Sequence, residues 1–197
     1  MGHKALAAVE KRARRQNALI LFEDESGVSL LPSVRATWAP RGQTPVLRHH
    51  FAWKRLSIAG VLAYESDGSD AHLVFQLRPG AYNDETLIAF LGEVHQHEEQ
   101  RSIVLIWDGL PSHRSRRMLD WVTNQSDWLS IERLPGYAPD LSPLDQGCWH
   151  HLKDVEMANL SCMDMEELHL EFDLAIGRLR QKPQLIRSFF AAAGLAL

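Results

Sequence analysis

The sequence lacks the features that mark secreted, membrane-spanning and cysteine-rich metal proteins. Its two cysteines, Cys148 and Cys162, do not have the spacing of a zinc or redox motif, which favours a reduced, cytoplasmic compartment. No stretch approaches the roughly 18 consecutive apolar residues of a membrane span, so we expect no membrane partner. Residues 1–16 are basic but contain no apolar core of a secretory signal.

The chain also lacks an excess of positive charge, an internal repeat and low-complexity sequence. Its formal net charge is −4, which excludes a general nucleic-acid-binding protein and leaves only a local basic patch for contact with DNA. The hydrophobic content of 45% is sufficient for one ordinary core. We predict a basic helix or linker over residues 1–17, a principal domain over residues 18–160, and C-terminal helices over residues 161–197 that pack on it.

Two short apolar runs end at acidic residues. Residues 18–22 precede Glu23 and Asp24, and residues 103–107 precede Asp108. An unbroken apolar run of this length is typical of a strand buried on both faces, although a buried helical segment gives the same pattern. Open α/β sheets bind their ligands at the edge where strands end, so we expect both aspartates at that edge.

Turn signals and periodicity predict an α/β order of elements. Strands over residues 55–64 and 72–77, joined by a turn, form an antiparallel hairpin, and a helix follows. A second helix links strand 103–107 to strand 128–134, which implies a parallel pair with a right-handed connection. This order resembles the RNase H-like fold, a mixed five-stranded sheet flanked by helices. In that layout the first strand is central and the strand before Asp108 lies parallel beside it.

Three carboxylates are predicted to meet at the edge of this sheet. Asp24 and Asp108 would lie side by side, and Asp145, in the first turn of a helix that begins near Pro143, can reach them. Clustered carboxylates raise one another's pKa unless a cation balances them, and all-oxygen ligation suits Mg²⁺ or Mn²⁺. Two ions about 4 Å apart could activate a water or a DNA 3′-hydroxyl and stabilise the leaving oxygen.

We therefore predict that Asp24, Asp108 and Asp145 are catalytic and ligate two metal ions, with Asp24 bridging them. The alternatives are that the first two simply end strands and that Asp145 favours a helix dipole. Glu25 is expected on the opposite face from Asp24, in a supporting position. His113 is also expected to support the site, and contact with a phosphate, contact with a metal-bound water and simple packing are equally open for it.

The densest positive zone follows the first strand, in a loop over residues 30–45 and in the residues after it. Contact with phosphates and a solvated hairpin are equally compatible with this composition. The candidate DNA-binding residues are Arg35, Arg41, Arg48, Lys54, Arg55, Arg114, Arg116 and Lys153. We interpret four tryptophans as anchors of the core or of loops rather than as platforms for base stacking: Trp38, Trp53, Trp107 and Trp149.

Four motifs then follow one another along the chain. They are FEDESG at residues 22–27, WAPRG at 38–42, WDGLPSH at 107–113 and LPGYAPDLSPLD at 134–145. In this order they resemble the catalytic domain of mariner-type DDE transposases, in their bacterial insertion-sequence branch, over residues 18–159. The resemblance implies divalent-metal-dependent DNA cleavage at element ends and joining of the 3′-hydroxyl to target DNA, and a homodimer on the DNA.

Two departures from this family pattern shape the expectations. The third acid of the bacterial branch is usually glutamate, whereas mariner proteins share the aspartate found here at Asp145. Family members also have N-terminal helix-turn-helix domains, for which residues 1–16 are too short. Either the chain is a catalytic fragment, or a separate helix-turn-helix polypeptide is its partner. The alternative function is a catalytically silent transposase remnant that dimerises with an intact enzyme and inhibits it.

Overall fold

A computed structural model describes residues 3–49, 52–136 and 138–194 of the chain. Within these residues the strands are β1 (Leu19–Ser29), β2 (Arg55–Tyr64), β3 (Ala71–Pro79), β4 (Ile103–Trp107) and β5 (Leu129–Arg133). The α-helices are α1 (His3–Gln16), α2 (Asp84–His97), α3 (Arg116–Asn124), α4 (Met165–Arg180) and α5 (Pro183–Ala192). Short 3₁₀ turns cover Ser112–Arg114 and Pro139–Leu141, and two segments, Leu144–Cys148 and His151–Glu156, are π-helical.

The strands form one mixed sheet in the order β3-β2-β1-β4-β5. β1 is central: it pairs antiparallel with β2 and parallel with β4, and β5 extends the parallel part. The predicted five-stranded mixed sheet with a central first strand is therefore confirmed. None of the described helices is long and apolar enough to cross a membrane.

Alternating side chains along the strands divide the core into two layers. On one face, Leu21 and Leu105 pack with α2 and α3, whose buried residues include Phe90. On the other face, Phe22 packs with α4, α5 and the π-helical segments, where Phe190 is fully buried. Burial on both faces explains why the runs in β1 and β4 are unbroken rather than alternating.

β1 does not end at Asp24, as the change to polar sequence suggested, but continues to Ser29. Its backbone groups remain paired because β2 runs alongside as far as the Ser29–Arg55 pair. The parallel partner β4 is shorter and its pairing with β1 stops at Phe22 and Ile106. Asp24 therefore lies within a strand, but at the level where the neighbouring strand has ended.

The connection between β1 and β2 corrects part of the tryptophan interpretation. Trp38 is 100% exposed and Trp53 is 75% exposed, so neither side chain anchors a core. Trp107 and Trp149 are buried, as predicted. The rest of this connection within residues 30–49 and 52–54 forms no regular strand or helix, apart from a bridge between Ser33 and Ala158.

Candidate active site

Asp24 projects from β1 toward the π-helical segments. Its Oδ2 accepts a hydrogen bond of 2.6 Å from Nε1 of Trp149. The indole of Trp149 can lie over the sheet because Gly60, the residue of β2 that pairs with Asp24, has no side chain. A Cβ atom at Gly60 would lie 2.5 Å from Cη2 of Trp149, closer than real Cβ contacts, so glycine is needed for this approach.

Asp145 and Asp24 are electrostatic neighbours. Burial raises the pKa of Asp24 and the negative charge of Asp145 raises it further, to about 7, although the hydrogen bond from Trp149 acts in the opposite direction. Burial also raises the pKa of Asp145, and the charge of Asp108 contributes to the same shift. Both carboxyl groups are therefore costly to ionise together without a cation beside them.

Asp108 follows the last residue of β4 and is held in a different way. Its Oδ1 accepts a hydrogen bond of 2.9 Å from the amide of Leu110 and lies 3.0 Å from Nδ1 of His113, as an ion pair. The same Nδ1 lies 3.2 Å from the backbone carbonyl oxygen of Asp108. Burial alone would raise the pKa of Asp108, but the contacts of its carboxylate with His113 and Leu110 outweigh it and keep the pKa below its ordinary value. Asp108 is therefore an anion at neutral pH, when Asp24 is about half protonated.

The donor set of these three aspartates fits a hard divalent cation, because it consists of carboxylate oxygens that repel one another. Among the residues that the structure describes, however, the three do not bring oxygens within 4.8 Å of one another as a group. Ligands of one Mg²⁺ ion lie at most about 4.2 Å apart. The arrangement therefore does not hold a single ion between all three side chains. Two ions, each bound by Asp24 and one of the other aspartates, would be compatible with a larger distance between Asp108 and Asp145.

Lys153 lies beside the same site, although we expected it only as a DNA contact. Its Nζ donates a hydrogen bond to Oγ of Ser26, two residues after Asp24. Burial lowers the pKa of Lys153, while Asp24 and Asp145 oppose that shift. A spacing of four residues separates Asp145, Trp149 and Lys153. In a helix with more than 3.6 residues per turn, side chains at this spacing lie in a row nearly parallel to the helix axis. That spacing was the only sequence signal for the roles of Trp149 and Lys153.

The opposite face of β1 contains an acid that sequence reasoning missed. Glu23 and Glu25 both point toward His113, with one oxygen of each 3.5 Å from its Nε2. The His113 ring stacks on Trp107 and is 0% exposed, which favours packing among the three alternatives for this residue. Glu25 lies on the face opposite Asp24, where alternation along β1 predicts it.

The ionisable groups on this face of β1 are close together and buried from solvent. Burial raises the pKa of Glu23 well above its ordinary value, as does the charge of Glu25, whereas His113 acts in the opposite direction. For His113 burial lowers the pKa, but its hydrogen bond to Asp108 and the nearby glutamates raise it to about 10. The signal for this cluster in the sequence was the alternation of Glu23 and Glu25 around Asp24.

The basic candidates are distributed over several surfaces. Arg114 borders an open groove of about 670 Å³ that also exposes Asp108 and Asp145. Arg35 pairs with Asp154 at 2.5 Å, and Arg116 is 95% exposed and lies 3.9 Å from Asp120. The remaining candidates are exposed on the β1–β2 connection or at the start of β2: Arg41, Arg48, Lys54 and Arg55.

The strand order, together with Asp24 within β1 and Asp108 after β4, defines an RNase H-like α/β domain with an acidic site. The chain belongs to the DDE superfamily endonuclease family, which matches residues 19–169. No protein of curated function matches the sequence.

Three solved structures show the same fold. The Mos1 transposase paired-end complex with left transposon end has a TM-score of 0.62 at 18% identity, over 98% of this chain and 61% of that chain. The mariner Mos1 paired-end complex with Mg has a TM-score of 0.61 at 18% identity, over 99% and 62%. The catalytic domain of Mos1 mariner transposase has a TM-score of 0.55 at 15% identity, over 99% and 93%.

At these identities the likeness concerns the fold, which is that of a mariner-type DDE transposase catalytic domain. The predicted resemblance to that family is thereby confirmed. This chain spans about three-fifths of the length of the longer Mos1 chains.

Proposed function

We propose that this domain cleaves DNA and transfers the resulting strand, as the catalytic part of a cut-and-paste transposase that uses Mg²⁺ or Mn²⁺. The observation that carries the proposal is the convergence of Asp24, Asp108 and Asp145 from three separate parts of the chain at one edge of the sheet. Membership of an endonuclease family supports it. So do Mos1 structures described with Mg and with a transposon end.

The proposed roles follow from how each carboxylate is held. Asp24 interacts electrostatically with both of the other aspartates and would offer oxygens to both of two ions, with its Oδ2 oriented by Trp149. Asp108 would ligate one ion through a carboxylate that Leu110 and His113 already fix, and Asp145 would ligate the other. Bound divalent cations would supply activation of a water or 3′-hydroxyl and neutralise charge on the leaving oxygen.

The phosphate backbone would approach along the groove that Arg114 borders, because this groove exposes Asp108 and Asp145. Lys153, beside Asp24, would neutralise part of the site until cations and DNA arrive. The other basic candidates would contact DNA outside this groove: Arg35, Arg41, Arg48, Lys54, Arg55 and Arg116. The proposal includes a homodimer on element-end and target DNA, a separate helix-turn-helix polypeptide that reads the ends, and a cytoplasmic bacterial setting.

Nicking of supercoiled plasmid DNA tests the chemistry without knowledge of the element. We expect nicking that requires Mn²⁺ or Mg²⁺ and falls at least about 100-fold in Asp24→Asn and Asp108→Asn, because each variant removes an anionic ligand. Asp173→Asn is the matched control, since Asp173 is an exposed acid of α4. Conversion of 3′-hydroxyl oligonucleotides into joined products would then separate strand transfer from simple cleavage.

Two results would contradict this function. Equal nicking by the wild type, Asp24→Asn and Asp108→Asn would assign the activity to something other than these carboxylates. Absence of both nicking and Mn²⁺ binding at millimolar concentration, with self-association retained, would favour the silent remnant that acts as an inhibitory binding module.

A further inference from the structure

The face of β1 opposite the aspartates contains a second cluster of metal-ligating groups. Glu23, Glu25 and His113 each offer one ligand atom, and these three atoms all lie within 4.8 Å of one another. Glu23 is 3% exposed and His113 is 0% exposed, so the cluster is part of the protein interior. The two glutamates flank Asp24 in the sequence but point away from it.

The polar atoms of this cluster lack ordinary partners. Both carboxylate oxygens of Glu23, Oε2 of Glu25 and Nε2 of His113 are buried without a hydrogen bond. Among the described parts of the chain, no lysine or arginine forms an ion pair with Glu23 or Glu25. Within the described residues His113 is the cationic partner of both glutamates, at 3.5 Å from each, so one positive charge faces two buried acids. A divalent cation would balance both carboxylates.

The distances match a metal polyhedron better than direct hydrogen bonds. Nε2 of His113 lies 3.5 Å from Oε2 of Glu23 and 3.5 Å from Oε1 of Glu25, longer than a good N–H···O bond. Ligands that bind Zn²⁺ tetrahedrally at 2.0–2.2 Å are about 3.4 Å apart. Two of the three separations thus match those around one ion, and the glutamate oxygens lie within 4.8 Å of each other.

The orientation of His113 also suits a metal ligand. Its Nδ1 lies 3.2 Å from the backbone carbonyl oxygen of Asp108 and 3.0 Å from Oδ1 of the same residue, and the ring stacks on Trp107 with centroids 4.3 Å apart. The raised pKa of His113 keeps a proton on both ring nitrogens in the metal-free protein, and a bound metal ion would displace the proton from Nε2, whose lone pair then points toward the two glutamates. Metal-ligating histidines are commonly held by a carboxylate in this manner.

We propose that Glu23, Glu25 and His113 form a second divalent-cation site, distinct from the three aspartates and on the other face of the sheet. One imidazole and two carboxylates favour a transition ion such as Zn²⁺ over Mg²⁺. A bound ion would fix β1 on both sides of Asp24 and, through His113, fix Asp108. The site does not depend on the proposed DNA chemistry.

An entry path reaches the cluster from the surface. Glu25 borders an open groove of about 660 Å³ whose other walls include Tyr82 and Leu110. The ion would therefore enter past Glu25 and meet the buried Glu23 and His113 behind it. This placement predicts that Glu25 can be changed with less damage to the fold than Glu23.

Cobalt absorbance distinguishes this site from the aspartates. We expect the chelator-treated protein to bind one equivalent of Co²⁺ with the visible absorption of four-coordinate cobalt, and Zn²⁺ to displace it. The same signal should persist in the double variant Asp24→Asn with Asp145→Asn, which leaves all three proposed ligands in place. In Glu25→Gln the Co²⁺ affinity should fall at least about tenfold, with a similar or larger loss in Glu23→Gln.

Glu85→Gln is the matched control, because Glu85 is an exposed acid on α2 and its change should leave Co²⁺ binding unaltered. Loss of the cobalt spectrum in the aspartate double variant, or its persistence at full affinity in Glu25→Gln, would overturn the site. The absence of four-coordinate Co²⁺ in the wild type would also overturn the site. In that case the cluster would be held by a proton shared between His113 and the two glutamates. If Glu23→Gln does not fold, measurements on the wild type, Glu25→Gln and the aspartate double variant still test the proposed site.

Discussion

Nε1 of Trp149 lies 2.6 Å from Oδ2 of Asp24, and this contact joins the helical residues between the two π-helical segments to the centre of the sheet. It requires a strand partner without a side chain, which Gly60 provides. It also orients a carboxyl group whose pKa is raised to about 7 by burial and by Asp145. The conformation and the protonation of Asp24 therefore depend on residues that are far from it in the sequence.

Replacement of Gly60 by alanine should break this contact. The new Cβ would lie 2.5 Å from Cη2 and 3.1 Å from Cζ2 of Trp149, so the indole must move. Overpacking of this kind lowers the free energy of unfolding by about 1–3 kcal/mol. Urea denaturation measures that loss, and tryptophan fluorescence should report the displaced ring.

Gly92→Ala is the control for the Gly60 substitution. Gly92 lies in α2, and a Cβ there would meet nothing within 4 Å. Alanine in a helix interior should be neutral or raise the free energy of unfolding by up to about 1 kcal/mol. Equal stability of the two variants would show that the indole does not need the space above Gly60.

Asp24→Asn should stabilise the metal-free protein at neutral and higher pH. The pKa of Asp24 rises from 3.8 to about 7 on folding, chiefly through burial, so the folded state holds its proton more tightly than the unfolded state. The resulting loss in the free energy of unfolding is absent below about pH 4, grows as pH rises and is complete above about pH 7. Asparagine avoids it and can still accept the hydrogen bond from Trp149.

We expect this variant to gain about 2–4 kcal/mol at pH 8, roughly 5–10 °C in Tm, and close to nothing at pH 4. Thermal unfolding with a chelator present at both pH values measures the difference. Asp173→Asn serves as the exposed control. A gain that is the same at pH 4 and pH 8 would contradict like-charge crowding around Asp24.

Binding of Mn²⁺ should depend on pH through the same group. A cation displaces the proton of Asp24, whose pKa is about 7, so the apparent affinity should fall up to about tenfold per pH unit below pH 7 and level off above it. Calorimetry at several pH values, in buffers of different ionisation enthalpy, would also detect the released proton. An affinity that does not change between pH 5.5 and 7 would remove Asp24 from the metal site.

Sequence patterns predicted the sheet because its central strands are buried on both faces. The apolar runs of β1 and β4 and the turn between β2 and β3 each have a local cause, and the parallel pairing follows from the crossover helix. The true length of β1 was not predictable in this way, because residues 25–29 contain only one apolar side chain, Val28, and are held by pairing with β2. Pairing energy from a distant strand leaves no local signal.

The aspartates of the candidate site were predictable as strand-end and helix-start acids, whereas their environment was not. The hydrogen bond from Trp149 depends on Gly60, and the burial of Glu23 depends on which face of β1 meets His113. An acid at the end of an apolar run is usually expected to face solvent. The sequence pattern therefore gives no indication that Glu23 is buried, although Glu23 lies next to Asp24 in the sequence.

Glu156 should connect stability at acid pH to the packing of the C-terminal helices. Its Oε2 accepts a hydrogen bond of 2.6 Å from Nε of Arg178, and its Oε1 accepts one of 2.6 Å from Nζ of Lys182. The Glu156 side chain is 8% exposed. Burial raises its pKa, but these two partners outweigh burial and lower it to about 2. Since the pKa is below its ordinary 4.5, the stabilisation is complete above about pH 4.5 and disappears as pH falls through 2.

Glu156→Gln should therefore lower the free energy of unfolding by about 1–2 kcal/mol at pH 7, a value reduced because both cationic partners are half exposed. The variant should also lose less stability than the wild type between pH 5 and pH 2. Urea denaturation across that range measures both effects, with the exposed Glu99→Gln as the control. Parallel stability curves for Glu156→Gln and the wild type would show that Arg178 and Lys182 do not hold the π-helical segment through this carboxylate.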